Sequence, residues 1–275
     1  MPRTHPFDRS IRAAFGVALA LLAAPSGAAT PELSALEIMR RADARDDGER
    51  RTLDIELSLI DRGGQTRQRS VRIFSRDLPQ ETQQIIFFLS PADVKDTGLL
   101  SYDYAGAERD DDQWLYLPAL RKTKRLASSD QSGAFLGSDF NYADLTRREI
   151  DDYTYKLLGV EDVRGAPTWR VEATPRGEQE AKRTGYAKSV LFVRQDNYFV
   201  VRAVHWVRDG EKLKYQDVKK LEQIDGIWVG TEITMTTKKG QETVHKTVLQ
   251  VSKADFRSKL DDQLFSIRQL EKGPL

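Results

Sequence analysis

The sequence predicts a mainly β, antiparallel fold in which one large sheet curls around a filled interior, preceded by a single helix. Three observations predict it. Most apolar segments alternate with period two, the turns between them are short, and one long segment lacks any regular period.

The first 29 residues read as an export signal. Arg3, Arg9 and Arg12 precede an apolar run at 13–24 (AAFGVALALLAA), too short to span a bilayer. Pro25 breaks the run, and Ser26-Gly27-Ala28-Ala29 offers a small-residue cleavage site after Ala28 or Ala29. The expected organisation is therefore a signal peptide at 1–29 and a single domain at 30–275. About 246 residues suit one large β domain. No later segment holds the ~18 consecutive apolar residues of a membrane helix. Cysteine is absent, so no disulfide supports the core and no lipid-modified cysteine anchors the chain.

Leu33, Leu36, Met39 and Ala42, with Ile38 beside them, fall at helical spacing and predict an amphipathic helix. Leu53, Ile55, Leu57 and Leu59 then alternate with polar residues as a half-buried strand, turned back at Asp61-Arg62-Gly63-Gly64. Its partner is expected at 65–76. The next strand, 83–89, contains QIIFFL and is apolar on both faces, so it needs cover on both sides. Further strands are expected at 99–105, 113–117, 153–160, 168–174, 188–194, 198–208, 212–224, 227–238 and 242–256. Tight turns such as Asp209-Gly210, Asp225-Gly226 and Lys239-Gly240 imply antiparallel hairpins, because parallel pairs need long crossovers. A closing helix is signalled by Asp261 or Asp262 ahead of Leu264, Phe265, Ile267 and Leu270.

Residues 118–144 break the rhythm. Phe135, Leu136, Phe140 and Tyr142 sit there among small, flexible residues. A loop beyond ~12–15 residues is often a functional lid. The alternative is a permanent plug for one end of the core.

Composition excludes several functions. Forty-three basic residues against forty-two acidic ones leave no basic excess for nucleic acid. Beyond residue 29 only His205 and His245 remain, both inside strand patterns. No Cys/His metal spacing, H-E-x-x-H, G-x-S-x-G or P-loop occurs. Asp110-Asp111-Asp112 and Asp151-Asp152 sit at turns, where Asp serves the backbone. Neither an enzyme, a metal site nor a cofactor is expected. Arg121, Lys122, Lys124 and Arg125 place four cations in five residues beside the long loop. They are candidates for contact with anionic headgroups or an acidic partner, or simply a solvated hairpin face.

Several blocks carry a family resemblance: FLSPADVKDTGLL at 88–100, QWLYLP at 113–118, SGAFLGSDF at 132–140 running on to Asp144-Leu145, YKLLGV at 155–160 and WRVEA at 169–173. Together they resemble the LolA-like family of outer-membrane lipoprotein-sorting proteins, in the broad branch often found beside RND/MMPL-type exporters. The resemblance implies an incomplete antiparallel β-barrel, a LolA/LolB-like half-barrel, with helices and loops covering a hydrophobic cavity. It implies a periplasmic carrier that binds a lipid, or the acyl chains of a lipoprotein, and passes it toward an outer-membrane acceptor. The alternative it implies is a non-catalytic accessory subunit of an RND-type inner-membrane exporter. On the carrier reading Leu57, Leu59, Phe87, Leu89, Leu115 and Leu117 line the pocket, and Phe135, Leu136 and Phe140 gate it. The lining depends on register, since a slip of one residue inverts the face.

Overall fold

The computed structural model describes residues 33–106 and 110–274. The export-signal expectation at 1–29 lies outside them. Thirteen strands form one antiparallel sheet: β1 (Arg50–Asp61), β2 (Thr66–Leu78), β3 (Glu81–Ser90), β4 (Gly98–Tyr104), β5 (Asp112–Leu117), β6 (Lys122–Arg125), β7 (Tyr153–Val163), β8 (Ala166–Pro175), β9 (Tyr186–Arg194), β10 (Val200–Val207), β11 (Lys212–Ile224), β12 (Ile227–Lys239) and β13 (Glu242–Asp255). Among the described residues three α-helices accompany them: α1 (Ala35–Asp43), α2 (Glu178–Thr184) and α3 (Ile267–Lys272). Among the described residues no helix is long and apolar enough to cross a membrane.

The strand order is β6-β5-β4-β3-β2-β1-β13-β12-β11-β10-β9-β8-β7. Two meanders are thus joined by one long-range pairing, in which β1 residues 52–61 run antiparallel to β13 residues 255–245. The two outer strands, β6 and β7, are consecutive in the chain. Twelve interstrand gaps of ~4.8 Å would put them about 58 Å apart in a flat sheet. Residues 126–152, folded into 3₁₀ turns, must connect them, so the sheet curls and the connection crosses its concave side. The sheet does not close, and the result is a half-barrel.

Register sorts the side chains. On the concave side Ile55 stands opposite Val71, and Val71 opposite Phe88. Leu53, Ile73, Ile86, Leu99 and Leu115 form the adjacent row across β1–β5. These residues and Leu59, with Leu126, Phe135 and Tyr142 from the crossing segment, make one core cluster. A second gathers Ala35, Ile38 and Met39 of α1 with Tyr153, Val171, Leu191, Val193 and Ala203. Ser34 caps α1 by accepting from the Glu37 backbone N–H at 3.1 Å. The buried stripe of the helix runs through Ala35, Ile38 and Met39, whereas Leu36 is only half buried.

The doubly apolar strand β3 is covered on both sides. Ile86 and Phe88 face the concave core, while Ile85 and Phe87 pack outside with Phe74, Leu100, Leu264, Phe265 and Leu270. The outer cover is α3 and the 3₁₀ turn before it, which Asp261 caps. Gly98 permits this approach, since a Cβ there would lie 2.6 Å from Leu270 Cδ1. Two elements escape the sequence patterns. Strand β6 (KTKR) has no apolar residue to show a period, and α2 (EQEAKRT) buries only Glu180 and Thr184.

Candidate functional site

The crossing segment is held by polar anchors as well as by its aromatics. Phe135 packs on Phe88 and on Tyr142, both with ring centroids 5.6 Å away. Arg69 of β2 donates to the Leu136 carbonyl. Asp139 is buried and accepts from Thr237 at 2.5 Å and from Thr247 at 2.7 Å. Lys214 donates to the Asp139 carbonyl at 2.6 Å and to Asn141 Oδ1 at 2.7 Å, and Asn141 donates to the Thr184 carbonyl at 2.8 Å. Residues 133–144 are therefore an ordered cover over the half-barrel.

Between this cover, α1 and the sheet lies a cavity of about 430 Å³, within the range of small-ligand sites. Its floor is apolar: Ile55, Leu57, Val71, Ile73 and Ile86 from the first meander, then Leu249, Ile233, Ala203 and Leu191 from the second. Met39 of α1 and Phe135, Phe140 and Leu145 of the cover complete it. Polar groups also border it, including Arg147, Arg148, Arg183, His205 and Gln216.

Electrostatics there follow from burial. His205 accepts or donates at Nδ1 with Ser189 Oγ, 2.7 Å away, and stacks on Tyr186 at 4.5 Å. Burial pushes its pKa down to about 3, so the imidazole is neutral at physiological pH. Burial pushes the Asp144 carboxyl up, opposed by the Lys214 charge. That carboxyl accepts from the Tyr186 hydroxyl and from the Asn141 backbone N–H, each at 2.8 Å. Arg183 forks onto Glu180 at 2.6 and 2.9 Å. Outside the cavity, in a neighbouring polar cleft, the buried Asp103 carboxyl is pushed up to about 8 by burial and by Asp111. Among the described residues no cluster of three His, Cys, Asp or Glu is arranged to hold a metal ion.

The residues singled out from sequence divide. Leu57, Phe135 and Phe140 line the cavity. Leu59, Leu115, Leu117 and Leu136 belong to the adjoining concave core without lining the cavity itself. Phe87 and Leu89 lie on the opposite face, in the cluster under α3. This corrects their expected place: β3 is apolar on both faces, so its sequence carries no mark of which one turns inward, and Ile86 and Phe88 take the concave positions. The basic run also divides. Arg121 occupies a left-handed turn with φ 47°. Lys122 and Lys124 pair with Leu117 and Leu115, whereas Arg125 pairs with Trp114 on the other face and binds Asp112 at 2.6 Å. A strand's two-residue period separates cations that the sequence places together. The second meander's contributions, Leu191, Ala203, Gln216 and Ile233, are not among the cavity residues expected from sequence, and His205 is marked there only as one of two histidines. Their alternation was visible, but only the β1–β13 pairing brings them opposite Leu57.

The sequence profile of a family of uncharacterized proteins matches residues 80–272. A DUF1329 family protein from Desulfovibrio piger is similar in structure, with a TM-score of 0.78 and 29% identity over 86% of this chain and 97% of its own. A protein domain from Vibrio parahaemolyticus, named for outer membrane lipoprotein sorting, has a TM-score of 0.77 and 29% identity over 86% and 98%. A LolA superfamily protein from Nitrosomonas europaea has a TM-score of 0.64 and 20% identity over 86% and 100%, a likeness of fold. No curated protein matches the chain in sequence.

Proposed function

Because the chain belongs to the LolA-like family, we propose that it is a non-catalytic periplasmic carrier, sheltering the acyl chains of a lipid or lipoprotein on the way to an outer-membrane acceptor. Residues 1–29 serve as its export signal and residues 30–275 as one lipid-binding domain. The observation that carries this reading is the apolar cavity of about 430 Å³ beneath an ordered cover. An acyl chain gains ~0.8 kcal/mol per buried methylene, so a ~16-carbon chain gains on the order of 10 kcal/mol before ordering costs. Uptake and release then need movement of residues 133–144, not a covalent step.

Native mass spectrometry of the mature protein from a periplasmic extract, followed by lipid extraction, tests the reading. A bound acyl lipid or lipoprotein is expected. Protein that emerges empty and stays empty with added phospholipid, fatty acid and lipoprotein would refute it.

A second reading, an accessory subunit of an RND-type exporter, is favoured by β6. That strand pairs only with β5 and leaves an open edge bearing the exposed Lys122 and Lys124. Crosslinking from position 122 to an inner-membrane exporter, lost on charge reversal at Lys124, would support it.

A further inference from the structure

We propose that the cavity takes an acyl chain ending in an anionic group, and that Arg148 holds that end. The inference rests on the carrier reading and narrows its cargo.

Three arginines border the cavity, and two are already engaged. Arg147 forks onto Asp43, with Nε 2.8 Å from Oδ1. Arg183 is bound by Glu180 and lies 3.8 Å from Asp111. Arg148 differs: among the described residues it makes no ion pair or hydrogen bond, and the Asp144 carboxyl of the same lining acts on it only through space. Its guanidinium carbon sits 4.8 Å from the centroid of the Tyr153 ring. A cation–π contact steadies the guanidinium while leaving its N–H donors unused.

A cation half-buried beside apolar walls is unfavourable until an anion meets it. Here the cavity supplies room for the chain and the arginine supplies the counter-charge. His205 adds a second polar group in the same lining, its imidazole lying beside the Gln216 side chain that also borders the cavity. Being neutral, the imidazole can donate to a ligand oxygen without adding a charge. The one carboxyl in the lining, Asp144, accepts from Tyr186 and Asn141 and faces the Lys214 charge, so its own partners offset much of its repulsion of a bound anion. A guanidinium accepts either a carboxylate or a phosphate.

Calorimetric titration of the delipidated mature protein at pH 7.5 with dodecanoate, dodecyl phosphate and dodecanol separates the possibilities. The wild type is expected to prefer at least one anionic chain over dodecanol by about tenfold or more, and the preferred anion identifies the headgroup class. Arg148→Gln should lose that preference yet bind dodecanol as before, which also reports that it folds. Arg148→Lys should retain part of the preference. Equal wild-type affinity for all three chains, or a preference untouched in Arg148→Gln, would overturn the role of Arg148 while leaving the carrier reading intact. Wild-type protein that binds none of these chains, and no phospholipid or lipoprotein either, would overturn both.

Discussion

The Asp139 carboxylate of the crossing segment meets His245 of β13, its Oδ2 lying 2.6 Å from the imidazole Nδ1. With Thr237 and Thr247 this joins the cover to the middle of the sheet, far from both chain ends of the segment. Asp139→Ala strips buried donors of their acceptor, for a loss of about 3 kcal/mol. Urea unfolding should show it as a lower midpoint, and amide exchange should rise at 133–144 more than in β11–β13. An unchanged midpoint would mean that the anchor contributes nothing.

Cavity and outer core should separate by mutation. Leu57→Trp places a large ring in the cavity floor and should weaken acyl-chain binding by more than tenfold, at a stability change of ~1–3 kcal/mol. Phe87→Ala, beneath α3, should cost ~3–5 kcal/mol of stability and leave the affinity of the folded protein unchanged. Binding measured beside thermal unfolding for both variants checks the assignment of faces; the reverse pattern would contradict it.

Stability should fall as pH rises from 6.5 to 8. Asp103, pushed up to about 8, keeps a proton that the unfolded chain releases near its ordinary value of about 4. Folding therefore takes up a proton between those limits, and stability is lost with rising pH through that window. His205 acts oppositely. Its pKa is lowered to about 3, so its stabilising contribution is lost as pH falls from about 6.5 toward 3. The two slopes oppose one another below 6.5, and above it the opposition from His205 fades over about one pH unit, leaving Asp103 to dominate. Urea midpoints at pH 6.5, 7.25 and 8 should decline in the wild type and flatten in Asp103→Asn. A wild-type midpoint that holds steady would exclude this linkage.

Helix α3 should be sensitive to one methyl group. At Gly98 a Cβ would meet Leu270 at 2.6 Å and Phe87 at 3.3 Å. Gly98→Ala is expected to cost ~1–3 kcal/mol through overpacking. Leu270→Ala in the same chain should relieve part of that strain, so the double variant should be more stable than the sum of the singles predicts. Strict additivity would show that the contact is absent.

Much of this protein was legible in its residues. Alternation at Leu53 to Leu59, with tight turns such as Asp225-Gly226, determined strands and antiparallel hairpins, because period two and short connections are local properties. The aromatics Phe135, Phe140 and Tyr142 marked a segment outside the sheet, although strand β6, within the same irregular stretch, left no such mark. Three things were decided only by tertiary structure. The β1–β13 pairing joins residues almost 200 positions apart, and nothing local encodes it. The inward face of β3 depends on which side α3 covers, since both of its faces are apolar. The polar part of the cavity, Arg148 with His205, exists because the curled sheet and the crossing segment bring two meanders together. Local pattern specifies what each segment becomes; which segments meet is set by burial of their shared apolar faces, a property of the whole chain.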